Sequence, residues 1–281
     1  MNNIEVDWDK IDSIIDNALE EDIGSGDITT DTIFSSDVAC EAQVIAKEEG
    51  IIAGIPIAKR VFKKLDQEVS FSQTLNDGDF AKPGQEVFKI KALVRAVLTG
   101  ERLALNILQR MSGIATATSQ YADAVKGSQT KILDTRKTAP GLRILDKYAV
   151  LAGGGQNHRF GLFDAVLIKD NHINFAGSIT NAVDQIRSKY QNKYKIEVET
   201  SNLDEVREAI QSEVDIVMLD NMDIPMMKEA VKMINGKALT EASGGITLAT
   251  ITDIAETGVD YISVGAITHS SPALDISLYM V

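Results

Sequence analysis

Polar residues that could do chemistry recur at the ends of short apolar runs in the second half of the chain. KILDT ends in Asp134 and Thr135 and is followed by Arg136 and Lys137. AVLIKD ends in Lys169 and Asp170, with Asn171 and His172 next. KIEVET carries Glu197 and Glu199, and DIVMLD ends in Asp220. KALTEAS holds Glu241 and Ser243 before Gly244 and Gly245, and YISVGAI reaches Gly265 with His269 just beyond. One charge at a run end is ordinarily just solvated. Recurrence over successive runs points to a shared site.

The residue types indicate what such a site would take. Arg136, Lys137, Arg143, His158 and Arg159 gather between the first two runs, together with Gly153 to Gly155. Arginine forks match carboxylates and phosphates, and glycines let backbone N–H groups approach an anion. The chain as a whole has a formal net charge of −13. Such acidity disfavours nucleic acid or an anionic membrane as a partner, so a local basic segment reads as a focused site for a small polyanion. Glu199 and Asp220 suit Mg²⁺, a hard cation that takes oxygen ligands. They could equally pair with Lys169 or Arg159. SGGIT and SVGAITHS read as N–H-rich turns able to cradle phosphate, although tight packing would select the same glycines.

The elements that must position these groups follow from the same runs. Strand-like and helical patterns alternate at roughly 20-residue spacing, the mark of a parallel α/β fold. SNLDEVREAIQS places Leu203, Val206 and Ile210 on one face, DIPMMKEAVKMING runs from Pro225 to Gly236, and TLATITDIAETG stops at Gly258. Six clear strands are fewer than the eight of a closed barrel, which leaves an incomplete barrel or a doubly wound sheet. Upstream, residues 7–21 read as an amphipathic helix. From Val38 to Arg95 the patterns are mostly strand-like, including GQEVFKIKALVRAVL, with IPIAKRVFKKL as an inserted helix. That predicts an α+β domain on a small antiparallel sheet. A long helix from about Thr99 to Lys126 joins the two parts, with Gly113 permitting a close contact or bend.

With 281 residues, 44% of them hydrophobic, the chain supports a substantial core. The single cysteine, Cys40, excludes an intrachain disulfide and fits a reducing compartment. The first residues lack the basic start and apolar core of a signal peptide, and no apolar run approaches a membrane span. The expected location is the cytoplasm.

The motifs, taken together, resemble one family. ALEEDIGSGDITT, GERLALNILQRMSGIAT, DTRKTAPGLR, DKYAVLAGGGQNHRFGLFD, LIKDNHI, IEVE, MLDNM, EASGGI and SVGAITHS run through nearly the whole chain. They are similar to the type II phosphoribosyltransferases, and within them to the quinolinate phosphoribosyltransferase family. DTRKT joined to GGGxNHR and KDNH is the most specific part; Ala139 is a mild variation. The resemblance implies an N-terminal α/β sandwich over residues 1–112. An open, about seven-stranded TIM-like α/β barrel would follow over 113–269, with the tail 270–281 packing on the first domain. It implies the reaction of quinolinate with phosphoribosyl pyrophosphate, giving nicotinate mononucleotide, CO₂ and pyrophosphate with Mg²⁺, a step of de novo NAD biosynthesis. It implies a homodimer or hexamer with the active site at a subunit interface. Carried over by motif, Arg102 from a partner subunit, Arg136, His158, Arg159 and Lys169 would meet the carboxylates of quinolinate. Lys137 would reach substrate or pyrophosphate. Glu199 and Asp220 would hold Mg²⁺ with the pyrophosphate and ribose hydroxyls. Ser243, Gly244, Gly265 and His269 would bind the 5′-phosphate. The catalytic set so implied is Lys137, Lys169, Glu199 and Asp220.

Rival readings are a paralogue with another base, such as the phosphoribosyltransferase-like proteins of molybdate operons, and a non-carboxylating enzyme using nicotinate. A Schiff-base lyase using Lys169 and a non-enzymatic sensor of an anionic metabolite are the others. The implied dicarboxylate set favours quinolinate, and the combination of cations with acidic partners argues against a sensor.

Overall fold

A computed structural model describes residues 6–34 and 38–281. The contacts group the chain into two compact units. The first comprises residues 1–119, 138–154 and 267–281, and the second residues 120–137 and 155–266.

In the first unit, α1 (Trp8–Ile23) buries Ile11, Ile15 and Leu19, spaced four apart on one face. Asp7 caps it by accepting a hydrogen bond from the Lys10 backbone at 3.2 Å. A short α2 (Thr30–Ile33) comes next. Strands β1 (Ala39–Ala46) and β2 (Gly50–Ile51), α3 (Ile55–Leu65), and β3 (Ser70–Gln73), β4 (Phe80–Ala81) and β5 (Glu86–Leu93) follow. The long helix α4 spans Val94–Ala124. It begins earlier than its sequence pattern suggests, because VRAV, read as strand, is its first turn. Val94, Ala96 and Val97 are all buried. A run of apolar residues at a strand-to-helix junction satisfies either period, and burial does not separate them.

Helix α5 (Arg143–Ala152) also belongs to the first unit. Its sequence lies within the basic segment. Leu145, Ala149 and Val150 form its buried face. Arg110 of α4 grips Asp146 of α5 with two bonds, Nε to Oδ1 at 2.9 Å and Nη2 to Oδ2 at 2.7 Å. Gly113 of α4 permits a close contact, as its pattern suggested. A Cβ there would lie 1.9 Å from the carbonyl oxygen of Pro272.

In the second unit β6 (Lys131–Leu133) is followed by β7 (Val166–Ile168), α6 (Asp170–Ala176), α7 (Ile179–Tyr190), β8 (Ile196–Thr200) and α8 (Leu203–Gln211). Then come β9 (Ile216–Asp220), α9 (Ile224–Ile234), β10 (Leu239–Ser243), α10 (Ile251–Ala255) and β11 (Tyr261–Ser263). The chain returns to the first unit with α11 (Ala266–His269), whose first residue closes the second unit, and β12 (Ile276–Met280). There an antiparallel sheet has the order β12-β1-β5-β3, and β2 pairs with β4.

The six strands of the second unit form one sheet ordered β6-β11-β10-β9-β8-β7, with every pairing parallel. The first strand lies beside the last, and the remainder follow in sequence. A doubly wound sheet would reverse its order at a switch point. This order is that of a barrel, with its seam between β6 and β7. On the β6 side of the seam a single residue pairs with the strand: Gln156 donates to Ile132 O at 2.8 Å and accepts from Asp134 N at 3.1 Å. Gln156 is thus the rudiment of a seventh strand. Asn202 caps the start of α8 and Asp223 that of α9.

Candidate active site

The strand ends of the second unit bring together one group of the expected residues. Lys169 follows β7 directly and Glu199 sits near the end of β8. They form an ion pair with Nζ 2.5 Å from Oε2. Asp220 ends β9 and lies opposite Ser243 of β10 in register. Its Oδ2 accepts from the side-chain nitrogen of Asn221 at 2.7 Å. Asn221 is in the left-handed region at φ 54°, and its backbone N–H donates to Ser243 O at 2.9 Å. Gly244, at φ +98°, lies against that asparagine, where a Cβ would fall 2.2 Å from its Oδ1. The turn after β10 therefore needs glycine for both conformation and space. Arg136 and Lys137 follow β6, half-buried and exposed respectively, and Gly265 follows β11. The backbone N–H of Lys137 donates to the Thr135 hydroxyl at 3.0 Å.

A second group lies at the seam. The His158 backbone N–H donates to Asp134 Oδ1 at 2.8 Å. Its ring accepts the Arg159 backbone N–H at Nδ1, 2.8 Å away, and its Nε2 lies 3.0 Å from Glu197 Oε2 and 3.7 Å from Glu241 Oε2. Glu197 and Glu241 are buried on β8 and β10. Burial foremost, and then the neighbouring Glu197 charge, push the Glu241 carboxyl up to about 8, with His158 acting against them. Arg159 reaches Ala165 O with Nη1 at 3.3 Å, while its Nε is buried without a hydrogen-bond partner among the described residues. Burial pulls its guanidinium below the usual arginine range, and the charge of Arg136 adds to this. Glu197 and Glu241 sit one turn of the strand pattern deeper than the strand-end residues. Their alternation with buried apolar neighbours was the signal available for placing them in the barrel interior.

Arg102 on α4 and His269 at the end of α11 belong to the first unit, and both are exposed. Two expectations about the basic segment change. Arg143 opens α5, where its Nε donates to the Thr138 hydroxyl at 3.0 Å. The glycine run does not cradle an anion with its first two N–H groups: Gly153 donates to Ala149 O and Gly154 to Leu151 O, finishing α5. Gly153 is required by packing as well, since a Cβ would lie 2.3 Å from Ala115 O. His172 also has a local task, accepting the Lys169 N–H at 3.0 Å to cap α6.

An open parallel α/β barrel carrying cations and carboxylates at its strand ends, together with a separate antiparallel-sheet unit, defines a class of two-domain barrel enzymes. Residues 27–112 match the model of the quinolinate phosphoribosyl transferase N-terminal domain, and residues 114–279 match that of the C-terminal domain. The chain belongs to the quinolinate phosphoribosyltransferase family. It is 47% identical to the probable nicotinate-nucleotide pyrophosphorylase (carboxylating) of Synechocystis, over 98% of this chain and 94% of that protein. It is 44% identical to the corresponding probable enzyme of Bacillus subtilis, over 96% and 93%. Among solved structures, NadC from Streptococcus pyogenes superposes with a TM-score of 0.95 at 40% identity, covering 99% of this chain and all (100%) of that one. The nicotinate-nucleotide pyrophosphorylase of Francisella tularensis gives 0.92 at 42% identity, covering 99% and 98%.

Proposed function

We infer that this protein transfers the phosphoribosyl group of phosphoribosyl pyrophosphate to quinolinate and releases CO₂ and pyrophosphate, forming nicotinate mononucleotide for NAD biosynthesis. The observation that carries the reading is the strand-end group Lys169, Glu199 and Asp220, a cation and two carboxylates on adjoining strands, in a chain of this family.

The chemistry asks for this combination. As pyrophosphate departs, positive charge develops on the ribose carbon, and nearby carboxylates stabilise it. The quinolinate nitrogen bonds to that carbon and becomes a pyridinium. Its positive charge then stabilises the electron pair left on the adjacent ring carbon as the carboxylate there departs as CO₂, and a proton taken up from solvent completes the C–H bond. No protein nucleophile is needed, so the residues position and polarise. Lys169, Arg136 and Arg159 supply positive charge for the two carboxylates, and Lys137 serves the substrate or the pyrophosphate. The turn at Ser243 and Gly244, with Gly265, suits the 5′-phosphate. The parts of Arg102, supplied by a second copy in a homodimer or hexamer, and of His269 rest on the family motifs alone.

Mg²⁺ fits the donor set, since Glu199 and Asp220 offer oxygen ligands at neighbouring strand ends. When bound it would neutralise the pyrophosphate leaving group. A cytoplasmic location is supported by the single cysteine, which fits a reducing compartment. Relatives in plants carry chloroplastic and mitochondrial names.

Purified protein incubated with quinolinate, phosphoribosyl pyrophosphate and Mg²⁺ should yield nicotinate mononucleotide and CO₂ in equal amounts. No product, or equal turnover of nicotinate, would refute the assignment.

A further inference from the structure

We propose that Asp146 of α5 is a positioning residue: by accepting the Ala139 N–H it fixes the stretch of chain that carries Arg136 and Lys137. This rests on the quinolinate reading above for what those two cations are positioned to bind.

The stretch is short and tied at both ends. At its start the Asp134 N–H donates to Gln156 O at 3.1 Å. At its end the Ala139 N–H donates to Asp146 Oδ2 at 3.1 Å. Only Thr135, Arg136, Lys137 and Thr138 lie between. Helix α5 reaches Thr138 as well, whose hydroxyl accepts from Arg143 Nε at 3.0 Å. Beyond Ala139 the chain turns at once. The Leu142 N–H donates to Ala139 O at 3.1 Å, and Gly141 stands at φ +79°. Proline followed by glycine is the pair that a type II turn places at its centre. Ala139 is thus held through both its N–H and its C=O.

Asp146 is itself fixed. It is fully buried, and Arg110 of α4 binds its two oxygens at 2.9 and 2.7 Å. A buried ion pair is a poor source of stability beside well-packed apolar side chains of similar volume. What an apolar pair could not do is accept the Ala139 N–H. The third donor to Asp146 therefore separates positioning from packing. Two long cations ordered before substrate arrives spare binding the cost of ordering them.

Tyr148, two residues further along α5, supplies the contrast. Its hydroxyl donates to Asp77 Oδ2 at 2.7 Å, and Asp77 also accepts the Gly54 and Ile55 N–H groups, each at 3.0 Å. That bond fastens the same helix without involving Ala139.

Hydrogen exchange of residues 135–142 reads the tie on the full chain, well below the melting temperature of each variant. Asp146→Ala should speed exchange there about tenfold or more. It should also lower quinolinate affinity, measured by calorimetry, about tenfold. Asp146→Asn, whose amide oxygen can accept the Ala139 N–H, should recover part of both losses. Thr138→Val removes only the hydroxyl that Arg143 grips. It should loosen the same residues by a smaller factor, and it keeps the test decisive should Asp146→Ala fail to fold. Tyr148→Phe should lower the melting temperature yet hold both exchange of the stretch and quinolinate affinity within about twofold of the wild type. Unchanged exchange in the Asp146 and Thr138 variants overturns the proposal, as does an affinity loss in Tyr148→Phe equal to that in the Asp146 variants. A wild-type chain that binds no quinolinate refutes the functional reading instead, and the exchange still judges the tie.

Discussion

The ammonium of Lys169 lies 2.5 Å from a carboxylate oxygen of Glu199, so a cation expected to receive substrate is already held by an anion on the next strand. In the sequence Glu199 could meet a metal or pair with a base; here it pairs with Lys169. With substrate absent, pairing orients Lys169 and limits repulsion among the cations. Replacing Lys169 by Met should weaken quinolinate binding by about 10- to 100-fold, the range for loss of a hydrogen bond to a charged group. Glu199→Gln should leave quinolinate binding intact or tighter while turnover falls. Calorimetry paired with initial rates separates the two effects; equal affinity in Lys169→Met would remove that residue from the site.

Gly244 is bound to its turn by conformation and by space. At φ +98° an alanine is strained, and its Cβ would meet the Asn221 side chain that donates to Asp220. Gly244→Ala should cost about 1–3 kcal/mol and lower turnover by displacing Asp220. Gly245 has φ +60° and open space around it, so Gly245→Ala should show a smaller stability loss of about 1 kcal/mol. Thermal melts and rates of the two variants test the contrast.

The Glu241 carboxyl has an ordinary value of 4.5 and is pushed up to about 8 in the fold. The folded protein therefore holds a proton that the unfolded chain releases between these values, and stability falls as pH rises through that window. Its contribution is fully present below the lower value and lost above the upper one. Glu241→Gln, neutral at every pH, should flatten this part of the profile and be more stable relative to the wild type at alkaline pH. Urea midpoints across the window measure it; parallel profiles would contradict the assignment.

Asp146 is fully buried with Arg110 as its partner and also accepts the Ala139 N–H at 3.1 Å. Removing the carboxylate strands a guanidinium and a backbone donor. Asp146→Ala should therefore destabilise the first unit by about 1–3 kcal/mol, measured by urea denaturation.

Much of the barrel was legible because its signals are local. Six short apolar runs became the six strands, and Pro225 marked a helix start. The tasks of individual polar residues were less legible. Gly153 looks like an anion cradle until Ala115 is seen against it. Nothing in NHR reveals that both nitrogens of His158 face Arg159 and Glu197, because those contacts combine one adjacent residue with another on a separate strand. Arg143 reads as one cation of the basic segment, yet it begins a helix whose apolar face supplies the stronger signal. Charge was visible at every strand end; which charges neutralise one another depends on strand register.

The pairing of β1 with β12 has a consequence for how the chain is made. Ala46 lies opposite Ile276, roughly 230 residues later. At about 5–20 residues per second, the ribosome needs on the order of 10–50 seconds to supply that partner. Throughout that time one edge of β1 has no native strand beside it, and open edges recruit other chains. The barrel strands β6 to β11 are all synthesised within the interval. The unit begun first is thus the last to complete its sheet, and crowded synthesis should place its greatest demand for chaperones on β1.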